Sequence, residues 1–186
     1  MRILEALGSR RAVRDFTPDA VSREVLAELA EAATLAPSHM NLQPWSFSIV
    51  SDRDTVSRFG RAAKQYLVKN LDRSSPFFAQ REEIAAPGYD LFYGAPALVV
   101  ISSSKPDRLS DLGCAMAAHS LMLAAVAMGL GSCWVSQAQP WLNSPEGRRE
   151  LGLAPDLHPV APVIVGCPQA APLSPGRFQP RIHWVA

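Results

Sequence analysis

The stretch Ala36-Pro37-Ser38-His39-Met40-Asn41-Leu42-Gln43-Pro44-Trp45 joins a predicted helix to a predicted strand. Before it, the apolar residues of 22–36 recur at helical spacing, and after it residues 45–51 alternate between apolar and polar side chains. The turn between these elements contains a serine, an asparagine and a glutamine. Such neutral donors and acceptors, held where elements end, suit a flat heteroaromatic ring with polar edges.

Three arginines lie upstream within five residues, at Arg10, Arg11 and Arg14. A guanidinium group pairs with two phosphate oxygens at once, so an arginine cluster of this kind favours a phosphate ligand. Together with the polar turn, the arginines indicate a phosphorylated cofactor that carries a planar, hydrogen-bonding ring. Flavin mononucleotide (FMN) fits that description.

The rest of the chain alternates predicted helices with predicted strands. Residues 97–101 form an unbroken apolar run, which is typical of a strand covered on both faces. This pattern predicts one domain over residues 1–186, with a three-layer α/β arrangement. Further helices are predicted over 52–70, 110–129 and near 145–151, further strands over 132–136, 160–166 and 182–185, and an ambiguous segment with a short helix over 73–88.

Composition excludes several classes of partner. The 186 residues include 18 basic and 17 acidic side chains, which disfavours a nucleic-acid or membrane partner. Residues 112–130 carry no formal charge, but their small and polar residues favour a buried central helix over a membrane span. The first fourteen residues lack the apolar core of a signal peptide, and the three cysteines are too dispersed to bind a metal. We therefore expect a cytoplasmic protein without a metal site.

The motifs resemble those of the FMN-dependent nitroreductase family. The box Arg10-Arg11-Ala12-Val13-Arg14-Asp15-Phe16 matches the family pattern Arg-Arg-x-x-Arg-x-Phe, and residues 36–45 match Ala-Pro-Ser-x-x-Asn-x-Gln-Pro-Trp. The resemblance continues in chain order at 111–113, 129–134 and 163–168, and at Arg177 and residues 182–184. It therefore covers almost the whole chain, apart from residues 61–88.

The resemblance implies a nitroreductase-like fold with a central mixed sheet flanked by helices. It also implies a homodimer with two FMN sites at the interface. The proline-rich segment 172–180 would be part of a C-terminal tail that reaches over the partner subunit.

The resemblance assigns roles to the arginine box. Arg10 and Arg11 would hold the FMN phosphate. Arg14 would lie near the N1–C2 carbonyl edge of the ring, where a fixed cation stabilises the negative charge that reduction creates. The family often has serine at the position of Ala12, so we expect one hydroxyl contact to be missing here.

The remaining cofactor-binding residues are assigned in the same way. A backbone N–H near Val135 and Ser136 would bond the flavin N5, Gly166 would permit close approach of the cofactor, and Arg177 would add a cation for the phosphate. Four residues would reach the phosphate-ribityl and pyrimidine parts from the other subunit: Pro37, Ser38, Asn41 and Gln43.

The reaction implied by the resemblance is ping-pong hydride transfer. NAD(P)H would reduce FMN as a transient donor, and a small electron-poor acceptor (nitroaromatic, quinone or enone-like) would then take the electrons at the same place. No side chain is assigned a catalytic role. Aromatic residues of the segment 66–93 would form a lid that selects the acceptor, with Phe77, Phe78, Tyr89 and Phe92 as candidates. A different flavin reaction (dehydrogenation or flavin breakdown), a flavin carrier without turnover, and an interaction protein with a decayed site remain alternatives.

Overall fold

A four-stranded sheet forms the centre of the computed structural model, which describes residues 2–171, 174 and 176–185. Its strands are β1 (Trp45–Val50), β2 (Ala97–Ser103), β3 (Gly131–Trp134) and β4 (His158–Gly166). They lie in the order β1-β2-β4-β3, and each neighbouring pair is antiparallel. The sheet was expected to be mixed. The only parallel pairing found in the described residues is the isolated bridge between Ala12 and Ser132.

Seven α-helices surround this sheet in the described part of the chain. They are α1 (Ile3–Ser9), α2 (Arg23–Thr34), α3 (Arg53–Asn70), α4 (Arg81–Ala85), α5 (Arg108–Ala127), α6 (Gln139–Leu142) and α7 (Pro145–Glu150). Single turns of 3-10 helix add His39–Asn41, Phe78–Gln80 and Ser136–Ala138.

Polar residues fix the starts of the long helices. The Ser22 hydroxyl accepts a hydrogen bond from the Val25 N–H, and the Asp52 carboxylate accepts one from Thr55. Asp107 caps α5 in the same way, and its bonds to the side chain and backbone of Ser110 lower its pKa. Because the cap needs the ionised carboxylate, it is complete at neutral pH and weakens as acidification protonates Asp107.

Two hydrophobic cores lie on the two faces of the sheet. On one face, α2 and α5 pack together and bury side chains such as Leu29 and Leu121. On the other face, α3 and α6 meet, and the rings of Phe59 and Trp141 lie 5.2 Å apart between centroids. Every residue of β2 is buried. The result is the predicted arrangement of three layers.

Helix α5 is the one helix in the described residues that is long and apolar enough to cross a bilayer. In this fold it packs against α2 and against strands of the sheet. Cys114, Ala118 and Leu121 on its inner side are inaccessible to solvent. The position agrees with the predicted buried central helix.

Several predicted elements differ from the structure. Helix α1 was not predicted, and residues 182–185 form no strand. Strand β3 ends at Trp134, because Ser136 already begins a 3-10 turn. Positions 172, 173 and 175 of the predicted tail lie outside the described residues.

Candidate active site

The arginine box runs in an extended conformation beside the edge strand β3. Ala12 forms a parallel bridge with Ser132, and the Val13 N–H donates to the Ser132 carbonyl at 3.0 Å. Gly131 makes this approach possible, since a Cβ at that position would lie 2.7 Å from a Val13 methyl group. The box therefore attaches to the sheet at the end of α1 and positions its arginines beside β3.

A cavity of about 540 Å³ opens next to this edge. Its volume lies within the range of roughly 300–1,000 Å³ that small-molecule sites span. Three of the predicted site residues line it: Arg14, Val135 and Ser136. The other lining residues are Pro76, Phe77, Gln80, Glu83, Tyr89, Tyr93, Cys133, Trp134 and Gln137.

Arg14 supplies the positive charge of the cavity wall. Its guanidinium carbon lies 5.9 Å from the centre of the Tyr93 ring. Burial raises the pKa of the neighbouring Cys133 thiol, while the positive charges of Arg14 and Arg10 act in the opposite direction without cancelling the effect of burial. Both arginines are therefore close enough to Cys133 to influence the pKa of its thiol.

Arg11 turns back toward its own backbone. Its Nη1 donates to the carbonyl of Gly8 at 2.7 Å and to the carbonyl of Arg10 at 2.8 Å, and its buried Nε has no partner. These bonds cap the end of α1, where carbonyl groups lack helical partners. Its role as a phosphate ligand stays a prediction.

The predicted backbone N–H donor near Val135 and Ser136 can be narrowed to one of these two residues. The Val135 N–H donates to the Pro162 carbonyl at 2.9 Å and so belongs to the sheet. Ser136 opens the following 3-10 turn, and the first N–H groups of such a turn have no partner within it. The expected N–H donor to a ring nitrogen is therefore Ser136 rather than Val135.

The polar turn of the second motif lies at the opposite side of the sheet. It leads into β1, whereas the arginine box accompanies β3, and the two strands are separated by three strand spacings of about 4.8 Å each. In one chain the two groups of residues are thus about 14 Å apart or more. The structure does not bring Pro37, Ser38, Asn41 and Gln43 together with Arg14.

The same turn is tightly organised. The Ser38 hydroxyl accepts a hydrogen bond from the Gln43 N–H at 2.9 Å. Met40, Asn41 and Gln43 all have positive φ angles, of 48°, 55° and 47°. Such angles are unfavourable for residues other than glycine and concentrate at functional sites. Ser38 thus organises the backbone of this turn, whatever ligand the turn contacts.

Gly166 and Arg177 lie away from the cavity lining. A Cβ at Gly166 would lie 2.6 Å from Pro96 and 2.8 Å from the Phe16 ring, so packing within the chain already requires glycine there. The exposed Arg177 donates from Nη1 to the Gly176 carbonyl at 2.9 Å. Contacts of these two residues with a cofactor stay predictions.

Two of the four residues predicted to form an aromatic lid line the cavity. Phe77 and Tyr89 line the cavity, but Phe92 is buried in the core and Phe78 stacks beneath the Arg81 guanidinium at 4.6 Å. Three polar lining residues, Gln80, Tyr93 and Gln137, are not among the predicted site residues. The polar run Ser136-Gln137 directly after a buried strand was the available signal for the last of these.

A lysine fixes the lid segment to α3. Lys64 donates from Nζ to the carbonyl of Ala86 at 2.6 Å and to that of Tyr89 at 3.0 Å. Burial, followed by the hydrogen bond with Tyr93, raises the pKa of Tyr89, so this phenol stays neutral and can donate. Tyr89 is therefore a fixed polar group in the wall of the cavity.

Comparison with known proteins identifies the family. The model of the Nitroreductase family matches residues 7–167, which is most of the chain. This chain belongs to the nitroreductase family. The resemblance found in the motifs and the predicted α/β fold class are both confirmed.

Individual nitroreductase-family relatives agree with this assignment. The chain is 31% identical to nitroreductase NfnB of Mycolicibacterium smegmatis, over 77% of this chain and 74% of that protein. It is 33% identical to 5,6-dimethylbenzimidazole synthase of Rhodospirillum rubrum, over 70% of this chain and 67% of that protein. A nitroreductase with bound FMN from Bacteroides fragilis is 26% identical and aligns over 100% of both chains with a TM-score of 0.85.

Proposed function

We propose that this protein is an FMN-dependent oxidoreductase that uses NAD(P)H to reduce nitroaromatic, quinone or similar electron-poor acceptors by a ping-pong reaction. One observation carries the proposal. Arg14 and Ser136, the residue whose N–H opens the 3-10 turn, line the same 540 Å³ cavity beside β3. A family member with this arrangement has what a flavin ring needs at its polar edge, a positive charge and an N–H donor.

The residues of the cavity fit FMN in charge and in polarity. FMN would supply the transfer of two electrons between donor and acceptor. Arg14 would hold a fixed positive charge beside the edge of the ring that becomes negative on reduction. A fixed charge in a site that excludes part of the water stabilises that negative charge more than water does. Arg10, which also acts on Cys133, would extend the positive field toward the phosphate. Arg11, Ala12, Gly166 and Arg177 remain proposed contacts.

We also propose a homodimer in which the polar turn of each subunit completes the site of the other. The separation of the turn from Arg14 within one chain supports this proposal. So does the apolar surface of α1, α5 and the turn, because α1 and the turn both contact α5 and exposed apolar surface of this kind marks interaction sites. Its exposed members are Ile3, Leu4, Leu7, Leu35, Met40, Leu42, Leu109, Leu112 and Met116.

The C-terminal tail is proposed to cover the partner subunit. Phe178, Ile182, Trp184 and Val185 are largely exposed in the single chain. Strand β1 is at the edge of the sheet, and on its outer side no strand of the described residues pairs with it. An extended tail would pair its backbone with this edge while its apolar side chains pack on the partner subunit. The three unpaired cysteines agree with a reducing, cytoplasmic location.

The visible spectrum of the purified protein tests the function. We expect a flavin spectrum after purification or after addition of FMN, loss of that absorbance on anaerobic addition of NADPH or NADH, and its return on addition of a nitroaromatic or quinone. A flavin that neither nicotinamide bleaches would indicate a carrier. Destruction of the flavin would indicate flavin breakdown, and failure to bind FMN would contradict the proposal.

A further inference from the structure

Four polar side chains form a continuous hydrogen-bonded row along one wall of the cavity. Tyr93 and Tyr89 are joined by their hydroxyl groups at 3.3 Å, and the Tyr89 hydroxyl donates to Oε1 of Gln137 at 3.1 Å. Nε2 of Gln137 then donates to Oε1 of Gln80 at 3.0 Å. We call these four residues the polar row, and all four line the cavity.

The bonds within the polar row determine which of its hydrogens remain available. An amide oxygen cannot donate, so the single Tyr89 proton is directed to Gln137. The Tyr89 oxygen must then accept the proton of Tyr93. Gln137 uses one N–H toward Gln80, whose oxygen accepts it. No acceptor found in the described residues takes the amide NH₂ of Gln80, so the two N–H donors of this exposed residue remain available at the end of the row.

The surrounding structure holds the polar row in place. Tyr93 has a φ of 55°, an unfavourable value for an aromatic residue. The Asp90 carboxylate supports this turn by accepting hydrogen bonds from the N–H groups of Phe92 and Gly94, at 3.0 and 2.8 Å. Lys64 fixes the carbonyl of Tyr89 from the other side. A residue with an unfavourable backbone angle persists only where its neighbours hold it in place, and such residues cluster at binding and catalytic sites.

We propose that Gln80 is a specificity-determining residue that donates hydrogen bonds to a neutral oxygen of the electron acceptor, such as a nitro or quinone oxygen. This inference rests on the proposed function and names the part of the cavity that selects the acceptor. Arg14, the residue proposed to hold the flavin edge, contacts the Tyr93 end of the row, so Gln80 is left for the acceptor. Glu83 also lines the cavity, and its carboxylate would repel anionic acceptors.

The substitution Gln80→Glu tests this proposal without breaking the row. A carboxylate oxygen still accepts the bond from Gln137, but the two outward N–H donors are replaced by an oxygen. Gln65→Glu on α3 is the matched control, because it adds the same charge and lines a separate cavity. Gln80→Met is a second variant that removes the donors without adding charge.

The experiment measures equilibrium binding of two probe compounds to the oxidised, FMN-loaded protein. Without a reductant the flavin has no electrons to transfer, so the probes are not consumed. Nitrobenzene and isopropylbenzene have similar shapes, but only the former has oxygen acceptors. Their dissociation constants are measured by the change in flavin absorbance. We expect nitrobenzene to bind more tightly, and this preference to fall about 3- to 10-fold in both Gln80 variants, as the loss of a neutral hydrogen bond implies. The Gln65→Glu control should keep the preference.

The outcomes separate this inference from the function on which it rests. A preference for nitrobenzene that survives both Gln80 substitutions would overturn the inference, although a flavin bleached by NAD(P)H would still support the proposed function. An equal preference loss in the Gln65→Glu control would also overturn it, because the effect would then come from charge alone. A protein that binds no FMN would end both proposals.

Discussion

Arg14 lines the cavity beside the Tyr93 ring and belongs to the arginine box that runs along β3. Its backbone is held by the pairing of Ala12 and Val13 with β3, and its guanidinium lies over Tyr93. Arg11, three residues earlier, caps α1 instead. Neighbouring arginines of one motif thus have different surroundings, and the cavity-facing one should matter most for the cofactor.

Replacement of Arg14 by alanine should weaken FMN binding. A hydrogen bond or ion pair with a charged group is worth about 1.5–3 kcal/mol, so we expect the FMN dissociation constant to rise about 10- to 100-fold. Titration of the apoprotein, followed by flavin fluorescence, measures this constant. Arg61→Ala is the control, because Arg61 lies on α3 and contacts the Ser57 hydroxyl. Equal affinities for the wild type and the Arg14 variant would mean that the ring lies elsewhere.

The three cysteines should differ in reactivity. Burial raises the pKa of Cys114 to about 11 and also raises that of Cys133, whereas Cys167 is only partly buried. A higher pKa means less of the reactive thiolate, about one part in a thousand for Cys114 at pH 8. We expect a short iodoacetamide pulse on the native protein to label Cys167 first, as measured by mass spectrometry. Earlier labelling of Cys114 would contradict the buried position of α5.

At the scale of elements, the contact between β3 and the arginine box depends on one glycine. A Cβ at Gly131 would lie 2.7–2.8 Å from three side-chain carbons of Val13, closer than such atoms approach in proteins. The box would have to move away from the strand to relieve this overlap. Since the same pairing positions Arg14, we expect the stability of this edge and the binding of the proposed cofactor to be linked.

The substitution Gly131→Ala should lower both the stability of the protein and its affinity for FMN. We expect the free energy of unfolding to fall by about 1–3 kcal/mol, as overpacking usually causes, and FMN affinity to fall with it. Gly8→Ala is the control, because Gly8 lies in α1 with no atom near its Cβ position, and alanine favours a helix over glycine. Urea unfolding and FMN titration measure the two effects. A stable Gly131 variant with normal affinity would show that the pairing is dispensable.

The predicted elements show what local sequence can reveal. The helix over 22–36 and the strand over 97–101 were predicted correctly, because their apolar periodicity reflects contacts on one or both faces. Helix α1 was missed. Its seven residues bury only Ala6, so its leucines carry no signal of a covered face in the single chain.

For the whole molecule, the exposed apolar surface around α5 supports an assembly of two chains. Substitution of Met116 by lysine should place a charge in the proposed interface and separate the subunits. We expect the wild type to sediment at about twice its chain mass of 20.1 kDa and the variant at the single-chain mass, with FMN affinity reduced because the partner's polar turn is lost.

Val68→Lys is the matched control for this experiment. Val68 on α3 is 41% exposed and Met116 is 40% exposed, so both substitutions add a charge at an equally accessible apolar residue. The Val68 variant should keep the mass of the wild type. A wild-type protein that sediments as a monomer and still binds FMN would contradict the shared site.

The sequence by itself determined the family and the three layers, and it predicted the motifs of the site, because these depend on local periodicity and on residue types in a fixed order. Only the tertiary structure decided how the motifs combine. It committed the Val135 N–H to Pro162, turned Arg11 toward α1 and joined Gln80, Gln137 and two tyrosines along one wall. These contacts join residues far apart in the chain, so their geometry is fixed only when the sheet and helices pack.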